Sequence, residues 1–146
     1  MPETSSAPTF PHLAQVVLDG VDIRALAEFY HQLLGYRYRA GDEPGASGHP
    51  KDEEWLVLQD PAAPSAGMAF QRVEALPEAT WPEGPVPQQL HLDMTVPSIE
   101  ELDRQHDRAR SLGARILLDR SDDREEPLRV YADLAGHPFC IFVAPT

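Results

Sequence analysis

The chain has 146 residues, the size of one domain able to bury an apolar core without disulfide or metal staples. Twelve basic against 24 acidic side chains leave a net charge of −12, a field that repels phosphate backbones and anionic bilayers, so neither nucleic acid nor a membrane is expected as a partner. No apolar run approaches the roughly 20 residues of a membrane helix, the first residues lack the pattern of a secretory signal, and the lone Cys140 cannot form an internal disulfide, which together indicate a cytoplasmic address.

Residues 1–11 read as a disordered tail and 12–146 as a single domain. Residues 13–18 are dense in aliphatic and β-branched side chains and predict a strand closed by Asp19-Gly20. Asp22 then stands as N-cap to a helix whose stripe is Ile23, Leu26, Ala27, Tyr30, Leu33 and Leu34, with Gly35 as the stop. A short strand is expected at 36–39, a glycine- and proline-rich loop that could act as a lid at 41–52, and strands at 54–59 and 67–73. Residues 74–87 hold four prolines and read as a linker.

The second half repeats the order. Residues 89–96 predict a strand, Ser98 with Glu101 three places on is a capping-box pattern, and Ile99, Leu102, Ala109 and Leu112 form the helix stripe that Gly113 ends. Strands follow at 115–118, 128–132 and 138–143. Gln15 lies 20 residues before Gly35 and His91 lies 22 before Gly113, while Gly67 to Phe70 and Gly136 to Phe139 share a spacing of three. The chain thus reads as two βαβββ modules, 12–73 and 88–145.

Several runs sharpen this. Asp19, Leu26-Ala27-Glu28-Phe29-Tyr30 and Leu34-Gly35 resemble the opening motif of the vicinal-oxygen-chelate superfamily, which includes glyoxalase I, bleomycin-resistance proteins and extradiol dioxygenases. Gln89-Leu90-His91-Leu92-Asp93, Leu112-Gly113-Ala114 and Asp133 to Gly136-His137-Pro138-Phe139-Cys140 resemble its glyoxalase-like branch. The resemblance implies an α+β fold in which the two modules form a curled mixed sheet around one cavity, and it implies homodimers, since members pair or swap modules.

In metal-dependent members, the resemblance implies, four cavity residues bind a divalent cation. Aligned on these motifs, the positions fall to Gln15, Gln71, His91 and Cys140. Amide oxygens are weak neutral ligands, and no carboxylate stands among the four, so no obligatory zinc, nickel, iron or manganese is expected. Glyoxalase I and extradiol dioxygenase chemistry are disfavoured for the same reason.

Strand alternation turns Gln89, His91, Asp93 and Thr95 to one face and Leu90, Leu92, Met94 and Val96 to the other; in the first strand Gln15 and Val17 point inward. His91 is a base, a ligand donor or a hydrogen-bonded cavity histidine. Asp93 needs water, a cationic ligand or one of the eleven arginines. Cys140 reads as a small buried hydrophobe before a nucleophile. Gln15 and Gln71 either orient a ligand or bond each other. Trp55 and Trp81 offer stacking surface, although core packing serves Trp55 equally, and Trp81 would lean in from the linker. His12, His31, His49, His106 and His137 read as solvated. Two functions follow as expectations: a metal-free binding module for a small organic ligand such as a cationic antibiotic, or a lyase, isomerase or epimerase using His91 for proton transfer.

Overall fold

The structure is a computed structural model that describes residues 10–45 and 54–145. Asp22 caps α1 (Ile23–Leu34), its carboxylate accepting the Ala25 N–H at 3.1 Å, and Gly35 ends it at φ 74°. The helix buries Ile23, Leu26, Ala27, Phe29, Tyr30 and Leu33. Around it lie β1 (Val16–Gly20), β2 (Arg37–Tyr38), β3 (Trp55–Asp60) and β4 (Ala63–Arg72), in the sheet order β1-β4-β3-β2. The β1–β4 pair is parallel, and α1 lies within its crossover; the remaining pairs are antiparallel.

The second module has the same plan: β5 (Leu92–Val96), α2 (Ile99–Ser111), β6 (Arg115–Arg120), β7 (Leu128–Ala132) and β8 (Pro138–Val143), ordered β5-β8-β7-β6. The Ser98 hydroxyl accepts the Glu101 N–H at 3.1 Å. The Glu101 carboxylate turns to Arg104 and Gln105, so only half of the capping box forms among the described residues.

Residues 13–15 and 89–91, expected in strands, precede them, because β4 and β8 pair only from Val16 and Leu92 onward. The two tandem modules form as expected, each contributing one four-stranded mixed sheet, and the sheets do not close. Residues 1–9 of the tail expected over 1–11, and most of the expected lid, with His49, lie outside the described residues.

One core joins the modules. Phe29 and Tyr30 of α1 meet Phe139 of β8 at ring-centroid distances of 5.8 and 6.2 Å, and Tyr30 stacks on Phe70 at 6.0 Å. Polar contacts cross the same junction. The Tyr30 hydroxyl donates to Asp133 Oδ2 at 2.6 Å, with both residues buried. Asp133 Oδ1 accepts the backbone N–H groups of Ala135 and His137, yet burial outweighs these bonds and raises its pKa. His137 Nε2 lies 2.6 Å from the Asp19 carbonyl, and Arg108 donates to the Gln32 carbonyl at the end of α1 at 2.6 Å.

Three histidines read as solvated are therefore engaged: His137 as just described, His31 Nδ1 at 2.6 Å from the Tyr36 carbonyl, and His106 Nδ1 at 2.8 Å from the Tyr131 hydroxyl. Each contact joins residues from different elements or loops, which helix and strand periodicity does not address. His12 is exposed.

Candidate functional site

Alternation along β8 sends Phe139 and Ile141 toward the core and Pro138, Cys140 and Phe142 to the opposite face, where register sets Cys140 beside Val130 and Phe142 beside Leu128. These side chains, with Leu118 of β6, floor a cleft of about 510 Å³. That volume suits a small organic molecule. Polar groups stand at its margins: His91 and Asp93 on the β5 side, Arg120 and Glu126 on the β6–β7 side, and Gln88 with Trp81 from the linker.

His91 immediately precedes β5, and its Nε2 lies 3.4 Å from Asp93 Oδ1, both side chains being about half exposed. Asp93 therefore reaches water and a histidine, and no arginine pairs with it among the described residues. Cys140, level with Asp93 across the parallel pair, is only 8% exposed. Burial first, and then the charges of Asp93 and Glu126, push its thiol up to about 11. These surroundings favour the neutral thiol as part of the apolar floor.

The linker forms neither helix nor strand, but it is built. Thr80 and Val86 exchange three hydrogen bonds, Thr80 N–H to the Val86 carbonyl at 2.7 Å, the Thr80 hydroxyl to the same carbonyl at 3.0 Å, and Val86 N–H to that hydroxyl at 2.9 Å. This closes a loop that sets half-buried Trp81 on the cleft wall, with a cis peptide to Pro82. Arg120 and Glu126 went unremarked in the sequence because both lie at or beyond strand ends, where no periodicity marks a face. Gln88 went unremarked because it follows the proline-rich stretch.

The other expected site residues lie elsewhere. Gln71 pairs across the sheet with Trp55 and sits level with Asp19 in the parallel pair, on the face of the first sheet away from α1. Gln15 precedes the pairing that starts at Val16 and Met68, so it stands about four residues, roughly 13 Å, along the strands from Gln71. The two glutamines neither bond each other nor line the cleft. Trp55, 37% exposed, joins neither the core nor the cleft. Within one chain, the expected four-residue convergence reduces to His91 with Cys140, joined by Asp93 and Trp81.

Two βαβββ modules on a shared core, with a cleft on the second sheet, define the fold of the glyoxalase, bleomycin-resistance and dioxygenase proteins. The family model described as a glyoxalase-like domain matches residues 15–142, and the chain belongs to that family. Its structure is similar to a glyoxalase/bleomycin resistance protein/dioxygenase family enzyme from Burkholderia phytofirmans PsJN, at TM-score 0.68 and 18% identity over 92% of this chain and 100% of that one. It is also similar to the fosfomycin resistance protein FosX from Mesorhizobium loti, at TM-score 0.65 and 14% identity over 94% and 95% of the two chains. A point mutant of FosX from Listeria monocytogenes, complexed with Mn(II) and 1S,2S-dihydroxypropylphosphonic acid, is similar at TM-score 0.67 and 16% identity over 94% and 95%. At such identities the likeness shows the fold. Comparison of the sequence with curated proteins finds no match.

A divalent cation, as in that manganese complex, needs three or more donors that carry charge or strong lone pairs. Among the described residues no three His, Cys, Asp or Glu side chains gather closely enough to hold one. In the cleft His91 and Asp93 lie 3.4 Å apart, two donors with no third His, Cys, Asp or Glu gathered closely enough among the described residues to complete a set. This donor set does not fit a resident metal in one chain.

Proposed function

We propose that the protein binds a small, amphipathic, cation-bearing organic molecule in the cleft of its second module, without a resident metal. The observation that carries this reading is the cleft's composition: an apolar floor of Leu118, Leu128, Val130, Cys140 and Phe142, an indole on the wall, and carboxylates at Asp93 and Glu126. An apolar body gains by leaving water, a planar part gains by stacking on Trp81, and a positive group gains beside the carboxylates. The net charge of −12 adds long-range attraction for the same cations. Antibiotics with a basic arm have this chemistry.

We also propose a homodimer. The first sheet leaves Asp19, Trp55 and Gln71 on the face away from its helix, and a second copy is the partner that would bring such a face over the open cleft.

The pair of His91 and Asp93 favours one alternative, proton transfer to or from a bound substrate, with Asp93 orienting the imidazole. Elemental analysis of purified protein and a thermal-shift screen over basic antibiotics and divalent metals separate the two. The binding reading expects a drug to raise the melting temperature with no stoichiometric metal present. It also expects Asp93→Asn and Trp81→Ala each to weaken the drug about tenfold, an effect the size of one cation–π or ion-pair contact. Stoichiometric metal, or stabilisation by metals alone, sinks it.

A further inference from the structure

One residue of the cleft wall carries an unpaired polar atom. The Gln88 side-chain oxygen is turned into the protein, out of contact with the open cleft, and accepts no hydrogen bond there, an unfavourable place for an amide oxygen. Gln88 is also one of two residues, with Pro138, shared between the cleft and a second hollow of about 410 Å³ behind it, bounded by Val17, Leu76, Val86 and Leu90. The residue thus lines both spaces. A Gln terminal torsion is soft and roughly two-fold, so about a half-turn of the carboxamide exchanges the oxygen and the NH₂ and brings the oxygen out to a ligand. The residue's place in the chain is not soft. Pro87 precedes it, and the Thr80–Val86 bonds that carry Trp81 also hold the segment leading to Gln88. The indole is set by that closed loop before any ligand arrives, and the Gln88 backbone follows two residues after it, which limits the ordering entropy of binding to the carboxamide torsion.

We infer that Gln88 is a specificity-determining residue and that, with Trp81, it selects a planar heterocycle carrying a hydrogen-bond donor beside an acceptor, the edge found on lactams and aminopurines. A carboxamide matches that edge with two parallel hydrogen bonds, as it does the edge of adenine. The ring stacks on Trp81, and the unsatisfied oxygen gains its donor. This rests on the cleft being a ligand site, and it adds to the cation requirement a requirement for a paired donor and acceptor.

The test uses 9-methyl-2-aminopurine, which has that edge, and 9-methylpurine, which has no hydrogen-bond donor (2-aminopurine and purine below), each titrated into the ¹⁵N-labelled full chain while the two tryptophan indole N–H signals are followed. Trp81→Phe assigns the signals. The expected result is saturable movement of the Trp81 signal with the Trp55 signal still, in the millimolar range usual for fragments, and tighter binding of 2-aminopurine. Gln88→Met keeps the side chain's length and removes its polar pair. It should weaken 2-aminopurine up to about tenfold, the size of one or two net hydrogen bonds, to the level of purine, and leave purine unchanged. The variant should melt at the wild-type temperature or above it, since the change deletes an unpaired acceptor and no structural bond; a lowered melting temperature would make Gln88 a structural residue and overturn the assignment. So would unchanged 2-aminopurine affinity, a preference over purine that survives Gln88→Met, or a Trp81 signal that neither probe moves. If a basic antibiotic still stabilises the protein in any of those outcomes, the cleft remains a ligand site and only the Gln88 assignment falls. If no antibiotic stabilises it either, the cleft reading falls too.

Discussion

Cys140 shows how little a residue's identity says before its surroundings are known. A thiol in a ligand cleft invites a nucleophilic reading, and the reactive form is the thiolate. Here burial and two nearby carboxylates hold the pKa at about 11, so at neutral pH the thiol carries its proton. Alkylation by iodoacetamide at pH 7.5 should therefore be far slower in the native protein than in urea, and the native rate should climb as pH rises toward about 11. Fast labelling of the folded protein at neutral pH, followed by mass spectrometry, would restore Cys140 as a nucleophile. Asp119 shows the opposite shift. The hydroxyl and backbone N–H of Ser121, then Arg129, hold it down to about 2.

At the scale of elements, the strands owe their register to close backbone contact as much as to hydrophobic pattern. Gly67 is the sharpest case. A methyl group built on it would fall well inside contact distance of the Leu58 carbonyl oxygen in the neighbouring strand. A backbone atom cannot swing aside as a side-chain tip does, so Gly67→Ala should push β3 from β4 beside the shift in register at Gln59 and Asp60. We expect a loss on the order of 1–3 kcal/mol, typical of overpacking, read from urea unfolding followed by circular dichroism. A neutral result would mean that the two strands have slack there. The repeated Gly-to-Phe spacing that marks both modules thus has a structural cause in the first: the glycine admits the partner strand, and Phe70, like Phe139, is fully buried.

At the scale of the whole molecule, the modules are coupled through Tyr30. Its ring packs between Phe70 and Phe139, one from each module, and its hydroxyl holds the buried Asp133 carboxyl. Tyr30→Phe keeps the packing and removes that donor, leaving Asp133 Oδ2 short of a partner. The expected loss is about 1–3 kcal/mol, measured by chemical denaturation, with the two modules still unfolding together. An unchanged midpoint would show that the aromatic contacts alone couple the halves.

Pattern carried the sequence reading wherever one element decides the outcome. The stripe from Ile23 to Leu33, the caps at Asp22, Gly35 and Ser98, and the repeat of strand, helix and three strands were legible because periodicity and capping are local. The face of β5 was legible too: Asp93 and Thr95 are exposed, and Val96 is buried. Strand starts were not, because Leu13 and Gln89 have suitable neighbours in sequence but no partner strand beside them. The separation of Gln15 from Gln71 was not legible either, since it is set by the pairing register of β1 against β4. Nor were the contacts of Tyr30 with Asp133, of His137 with Asp19 and of Gln88 with two hollows, each of which joins residues that local pattern cannot relate. The amino-acid order by itself settled the modules, their helices and the family, because these follow from short-range periodicity and motif spacing. Only the tertiary structure decided which side chains share a cleft, because that depends on register, on the linker's closure and on how two sheets divide one core.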